Sequence, residues 1–467
     1  MSAAAAEAIK WEPYTLTGPD GAKTEGEMGV MMVPENRANP KARQIPLKFV
    51  RLRSTAAKPG FPVVYLAGGP GGSAVGNGRG PRFAFFNRLR AVGDVILLEQ
   101  RGAGLSNTLP SCPAQPFDPA RALDKQNLVD GYRRELVRCI AFWRNSGADV
   151  AGYNTIESAT DLDDLRRALG AERLNLVGLS YGTHLGMAAL KRGLAVERAV
   201  FAGLEGLEQT VKLPAHFDAF FARLAEAVRK SEAGAVYPDL IGMMRRVHAK
   251  LEREPVTVTV KDRNGQEHQI RFGAFPIQTL AGFALISDPA RQSRLPLFYL
   301  ALDNGMYQPA GEMIFGAISS EFNKMSGMPE LMDLASGISP ARLALVREQA
   351  KNAVLGDAGN FPMPHAFNIA PELTLSEDFR KPLSTTVPTL LIMATLDGRT
   401  PVESQSELLP QFKVATRLTV ENGGHNIFEQ SEKVQEEIVH YLQSGTVTSN
   451  EVTLPPPTFA LPPAPPK

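Results

Sequence analysis

Ser180 stands in Gly178-Leu179-Ser180-Tyr181-Gly182, after the apolar run Leu174 to Val177 and before Leu185 to Leu190, which reads as helical. A serine placed on a tight strand-to-helix turn presents its hydroxyl at the sheet edge. That hydroxyl becomes a useful nucleophile only when an imidazole takes its proton, and the imidazole must in turn be oriented by a carboxylate. The chain has seven histidines. His425 lies in Asn422-Gly423-Gly424-His425-Asn426, a loop after the last apolar run, and Asp397 ends another run in Thr395-Leu396-Asp397-Gly398. Taken singly, His425 is a loop histidine and Asp397 a turn former. Three placements at three strand ends, in the order Ser180, Asp397, His425, argue for one acyl-transfer site. His184 is four residues after Ser180 on the same helix, so it points along that helix and reads as packing or support for the site.

An acyl-transfer serine also needs hydrogen-bond donors for the tetrahedral oxyanion. One candidate is the backbone N–H of Tyr181. The other comes from Gly68-Gly69-Pro70-Gly71-Gly72, with Gly69 the first choice. A glycine-rich loop after a strand can instead hold phosphate, but no Gly-Lys-Ser/Thr follows it, which excludes a P-loop. No His/Cys cluster has metal-ligand spacing, and no cofactor is implied.

The elements that must position these residues follow from the hydrophobic pattern. Phe61 to Leu66, Asp94 to Leu98, Leu174 to Leu179, Arg198 to Gly203, Pro388 to Ala394 and Ala415 to Val420 are short runs, mostly apolar throughout rather than alternating. That is what a parallel sheet covered by helices on both faces requires. Residues 11 to 53 alternate and read as an antiparallel edge. Thr160 to Leu169 reads as a helix capped by Thr160, with Asp161, Asp163 and Asp164 at its positive end. The fold class is therefore α/β, a mostly parallel doubly wound sheet.

Between about 208 and 382 the strand–helix alternation stops. Helical patterns at His216 to Arg229 and Pro340 to Leu355, with a charged strand-like piece at Val256 to Phe272, read as a mainly helical cap over the sheet edge where ligands bind. The expected organisation is a core in two parts, 1–207 and 383–446, a cap at 208–382, and a Pro-rich tail at 447–467 that is extended and unpacked.

Composition narrows the partners. A formal net charge of +1 over 467 residues argues against a nucleic-acid partner, which usually demands a basic face. No stretch is long and apolar enough for a membrane span. Met1 to Ala6 lacks the basic start and apolar core of an intact signal peptide. Cys112 and Cys139 read either as a disulfide, which goes with export, or as buried thiols.

The combined motifs carry a resemblance. Gly-Gly-Pro-Gly-Gly after the first parallel strand, Gln100-Arg101-Gly102-x-Gly104-x-Ser106, Gly178-x-Ser180-Tyr181-Gly182, Asp397 and Gly424-His425 resemble the proline iminopeptidase and tripeptidyl aminopeptidase branch of the α/β-hydrolases. The similarity covers most of residues 25 to 205 and 385 to 445. It implies a serine hydrolase with a cap that removes residues from free peptide N-termini, in a group with many exported members, and it favours pairing of Cys112 with Cys139. Two positions depart from the branch. Ala67 stands where His or Asn is usual, and Glu99 replaces the Asp of Asp-Gln-Arg-Gly, a longer carboxylate expected to pair locally.

An aminopeptidase must recognise an ammonium, and a cap carboxylate would do so. Ala317 to Glu321 resembles the branch's cap segment, with Ser319 where cysteine is common. Glu321 is thus the candidate amine anchor, Glu312 the second, and a solvated helix glutamate the alternative for each. The expected substrate is a small peptide. The alternative reaction with the same triad is carboxylesterase or lipase-like hydrolysis of small acyl esters, and a binding protein that has kept the fold is the reading from another class. Oligomeric state is not legible, and compartment is read as exported or periplasmic, with cytoplasmic as the alternative.

Overall fold

Runs that are apolar at every position become the centre of a ten-stranded sheet. A computed structural model describes residues 9–115, 121–319 and 324–463. The antiparallel edge is β1 (Lys10–Thr17), β2 (Lys23–Pro34) and β3 (Gln44–Leu52). The parallel part begins with β4 (Val63–Leu66), β5 (Val95–Leu98), β6 (Leu174–Leu179) and β7 (Val196–Ala202). A separate antiparallel hairpin, β8 (Val256–Lys261) and β9 (Glu267–Phe272), lies in the cap. The main sheet resumes with β10 (Thr389–Ala394), β11 (Ala415–Glu421) and β12 (Glu451–Thr453). Its spatial order is β1-β2-β3-β5-β4-β6-β7-β10-β11-β12, so β6, the strand before Ser180, is central.

The period of two along these strands explains why they are apolar throughout. Leu174 and Leu176 face one core with Leu391, Ile96 and Leu98, while Val177 and Leu179 face the other with Leu390, Ile392, Val95 and Leu97. Both faces are covered, so neither can be polar. The cap has its own core around Phe220, Phe221, Leu224, Met244, Leu251 and Tyr299. The patterned helix at His216 to Arg229 is Pro214–Lys230, and the one starting at Pro340 stops at Ala350, giving way to turns before Leu355.

Three expectations need correction. The helix before β6 begins at Thr155, not Thr160. Asn154 caps it by accepting from the Glu157 backbone N–H at 3.0 Å, whereas the Thr160 hydroxyl donates back to the Ile156 carbonyl. Asp161 is therefore mid-helix, where it takes a two-pronged contact from Arg101, Nε to Oδ2 and Nη2 to Oδ1, both at 2.7 Å. Arg101 is fully buried, and its Nη1 also donates to the carbonyls of Glu35 and Gly152 at 2.6 and 2.7 Å. Arg37 joins the same cluster through Asp161, Asp164 and Glu157. Of the three carboxylates read as helix-end charges, Asp161 and Asp164 instead fasten the segment after β2 to the helix beside β6, while Asp163 pairs with Arg166 and Arg167 on its own helix.

Nor is the tail unpacked as far as residue 463, where the described residues end. Val452 is buried in β12, which pairs parallel to β11, and Phe459 is buried in the cap core. Tyr237 Oη donates to the Ala460 carbonyl at 2.7 Å, and the Ala460 N–H donates to the Ser293 carbonyl at 2.9 Å. Apolar residues among the prolines decide this, because they have surface to bury. Cys112 and Cys139 form a disulfide, packed with Trp143 in a small core of their own. The alanine-rich start, Met1 to Ala6, lies outside the described residues. No helix among the described residues is long and apolar enough to cross a membrane.

Removing one side of a buried ion pair strands the other, a loss of about 3–5 kcal/mol. Arg101→Ala is expected to destabilise the fold by that order, read by chemical denaturation followed by circular dichroism.

Candidate active site

The Ser180 turn is built by close approach. Ser180 has φ +56° and ψ −129°, a conformation that L-residues adopt only when the surroundings enforce it. A Cβ at Gly182 would stand 2.0 Å from the Leu66 carbonyl oxygen, and one at Gly178 would stand 2.9 Å from the Gly182 carbonyl oxygen. The motif's glycines are thus what lets the turn close against β4. The Ser180 N–H donates to the Ala202 carbonyl at 3.0 Å, which ties the turn to the end of β7.

Asp397 and His425 meet beyond β10 and β11. His425 Nδ1 lies 2.9 Å from Asp397 Oδ2 and 3.0 Å from Oδ1. The Asp397 carboxylate also accepts from the Arg399 and Thr400 backbone N–H groups at 2.8 Å each, and from Thr400 Oγ1 at 2.6 Å. Burial pushes this carboxyl up, but His425 and the Thr400 bonds outweigh it and hold it below the ordinary range. The His425 loop is pinned from the cap side: its N–H donates to the Ser287 carbonyl at 2.7 Å, and Asp288 accepts from the Asn426 N–H at 2.9 Å. Gly424 permits this contact, since a Cβ there would stand 2.7 Å from Pro289.

Gly203 joins the two halves. It follows Ala202, and a Cβ on it would stand 3.3 Å from both Asp397 Oδ2 and His425 Cε1. Among the described residues the Ser180 hydroxyl makes no hydrogen bond; such contacts are often long in a free site and tighten when substrate arrives. Tyr181 opens the helix Tyr181–Lys191, so its backbone N–H is one of the first-turn donors without an intrahelical acceptor. Gly69, with φ +126°, lines the same pocket as Ser180.

His184 is fully buried. Its Nδ1 is 3.0 Å from the Gly206 carbonyl, and its Nε2 is 3.3 Å from both Thr155 Oγ1 and the cap's Ser336 Oγ. Burial lowers its pKa, so the ring is neutral and spoken for. Glu99 also pairs locally, accepting from Ser73 Oγ at 2.5 Å and from the Ala74 N–H at 3.1 Å, which anchors the helix after the glycine-rich loop.

The amine-anchor candidates fare differently. Glu321 lies outside the described residues. Glu312 is exposed, accepts from Gln308 Nε2 at 3.0 Å one helical turn away, and does not line the Ser180 pocket. The carboxylates that do line it are Glu205 and Asp333, beside Lys212 and Arg399. Glu205 is tied to Lys212 Nζ at 2.7 Å. The Asp333 side chain has no hydrogen-bond or ionic partner among the described residues. Its carboxyl is pushed up to about 7, first by burial and then by the neighbouring Glu205. Glu205 had a legible signal, being three residues past the strand after the nucleophile. Asp333 had none, because only the cap's packing turns it inward.

Comparison with known proteins agrees with this architecture. The family model for the alpha/beta hydrolase fold matches residues 62–432, and the chain belongs to that family. A tripeptidyl aminopeptidase of Streptomyces lividans is 31% identical over 172 residues, covering 34% of this chain and 32% of that protein. The serine protease Hip1 of Mycobacterium tuberculosis is 26% identical over 243 residues, 48% of this chain and 46% of that protein. The chain thus matches less than half the length of either relative.

Gly182→Ala is expected to cost at least the ~1–3 kcal/mol of overpacking, because its Cβ meets a backbone carbonyl that cannot swing away. Thermal unfolding checks the loss.

Proposed function

We propose that the protein is a serine hydrolase acting through an acyl-enzyme, and specifically an aminopeptidase for small peptides with free N-termini. In this reading Ser180 attacks the scissile carbonyl. His425 takes its proton and then delivers it to the leaving amine, while Asp397 holds the imidazole in the required tautomer. The N–H groups of Tyr181 and Gly69 receive the oxyanion. Water repeats the sequence to release the acyl group.

The observation that carries the peptidase reading is the pair of carboxylates, Glu205 and Asp333, in the pocket of Ser180. Asp333 is unpartnered and faces a pocket that a substrate ammonium would enter. A charge-assisted bond to it would offset the desolvation that keeps it half-protonated. An uncharged ester gains nothing from this group. The peptidase names of the two relatives point the same way, and the Cys112–Cys139 disulfide fits an oxidising compartment outside the cytoplasm.

Ser180→Ala and His425→Ala are expected to abolish turnover of Ala- and Pro-p-nitroanilide, and fluorophosphonate labelling is expected to mark Ser180. Equal kcat/KM for free and N-acetylated peptides would overturn the aminopeptidase assignment. The pH dependence follows from Asp333. Only its ionised form attracts an ammonium, so the ratio of kcat/KM for a free-amine anilide over a neutral ester is expected to rise through pH 7. It should fall again as the substrate amine loses its proton near ~8. Asp333→Asn should flatten the rise.

The same group sets a stability expectation. A carboxyl raised from 3.8 to about 7 in the folded state stabilises the fold fully below its unfolded pKa, and that contribution is lost as pH rises through 7. Asp333→Asn should therefore raise Tm more at pH 8 than at pH 5.

A further inference from the structure

Arg399 is a pocket cation without an ion-pair partner among the described residues. Its backbone N–H donates to Asp397 Oδ1 at 2.8 Å, which fixes where the side chain leaves the loop. Its Nη1 donates to the Gly282 carbonyl at 3.0 Å, and the guanidinium carbon lies 4.2 Å from the centre of the Phe283 ring. Phe283 is itself 63% exposed and, like Arg399, lines the Ser180 pocket. Lys212, the other cation there, is already neutralised by Glu205 at 2.7 Å. No carboxylate among the described residues forms an ion pair with Arg399, although Glu205 and Asp397 act on it at longer range.

The cost of that arrangement is visible in the group's own chemistry. Burial pushes the guanidinium down from its ordinary value, against the pull of the two more distant carboxylates. A guanidinium presents five N–H donors in a planar fork that matches a carboxylate, and stacking on an aromatic face holds the plane while leaving its edge free. Here one terminal nitrogen is held by a carbonyl, and among the described residues the side chain makes no other hydrogen bond, although the residue lines the pocket. A half-buried, unpaired charge beside the reacting serine is unfavourable in the free protein and favourable only once an anion arrives.

We propose that Arg399 is an anion subsite that receives a carboxylate of the substrate, so that the preferred substrates present both an ammonium and a carboxylate to the Ser180 pocket. The ammonium half rests on the aminopeptidase reading, with Asp333 as its acceptor; the carboxylate half stands on Arg399 alone. Two sources share this chemistry: the α-carboxylate of a very short peptide, and the side chain of an aspartate or glutamate at the substrate N-terminus. Either charge is matched inside the pocket, so a neutral ester or a long neutral peptide forgoes the second contact.

The test measures kcat/KM for two matched pairs, Glu- against Gln-p-nitroanilide and Ala-Ala against Ala-Ala-amide, with wild type and Arg399→Gln. Wild type is expected to favour the anionic member of at least one pair by about 10- to 100-fold, the range of a hydrogen bond to a charged group. The pair that shows it identifies the source. Arg399→Gln should bring that ratio close to one, with Arg399→Lys in between. Equal rates within both pairs in wild type would overturn the proposal without any variant having to fold. So would an Arg399→Gln loss of the same size on anionic and neutral members, which is the mark of a structural role. Calorimetry on Ser180→Ala with N-acetyl-Ala-Ala and its amide separates the two readings. N-acetyl-Glu-amide and N-acetyl-Gln-amide serve likewise for the side-chain source. The acid must bind more tightly than its neutral partner in the pair that kinetics singles out, whether or not amines are recognised; if it does not, the subsite falls and the aminopeptidase reading is left untouched.

Discussion

The structure depends on one backbone conformation, the left-handed turn at Ser180. It exists because Gly178 and Gly182 let the chain fold back to within contact of the Leu66 carbonyl, and because β6 and β7 are buried on both faces and cannot yield. Strain at the turn is thereby maintained by packing well away from the serine itself. The same closure sets the first helical N–H groups beneath the pocket and brings Ala202 and Gly203 against the turn. The ends of five parallel strands, β4, β6, β7, β10 and β11, then converge on one small volume.

Around that volume, environment divides identical side chains between roles. Asp397 is buried but collects donors from Arg399, Thr400 and His425, so it stays ionised. Asp333 is set in the pocket wall with no such donors and beside another carboxylate, so it holds its proton up to about pH 7. His184 and His425 divide in the same way. The first is locked between Gly206, Thr155 and Ser336 through both ring nitrogens, and the second is held by Asp397 through Nδ1, with no hydrogen bond at Nε2 among the described residues. Positioning by neighbours, rather than residue type, distinguishes a group that supports the turn from one that can exchange a proton.

What was legible in the chain follows from where the information resides. The parallel strands, the serine turn and the glycine-rich loop were readable because each is a local pattern with a steric cause. Asp397 and His425 were readable from their places after apolar runs. Asn154, in contrast, is hidden as a cap because Thr160 and three aspartates nearby make an equally good local signal; only Arg101 and Arg37, distant in sequence, show that Asp161 belongs mid-helix. The pocket carboxylates were missed for a related reason. Resemblance pointed to Glu321 and Glu312, yet Glu312 faces outward, and the inward-facing group is Asp333 on the helix Met328–Ser336. Which cap side chains face the pocket is decided by how helices are stacked, and no period in the sequence encodes that.

The segment after β11 has a mechanical meaning. It adds β12 to the far edge of the sheet, then runs on to seat Phe459 among cap residues, where Tyr237 and Ser293 hold Ala460. Cap and sheet are thus sewn together twice, once by the chain that enters and leaves the cap and again by this seam. A cap that swung outward would have to unpick the seam, lifting Phe459 from its core and breaking both hydrogen bonds at Ala460, so the seam resists that motion.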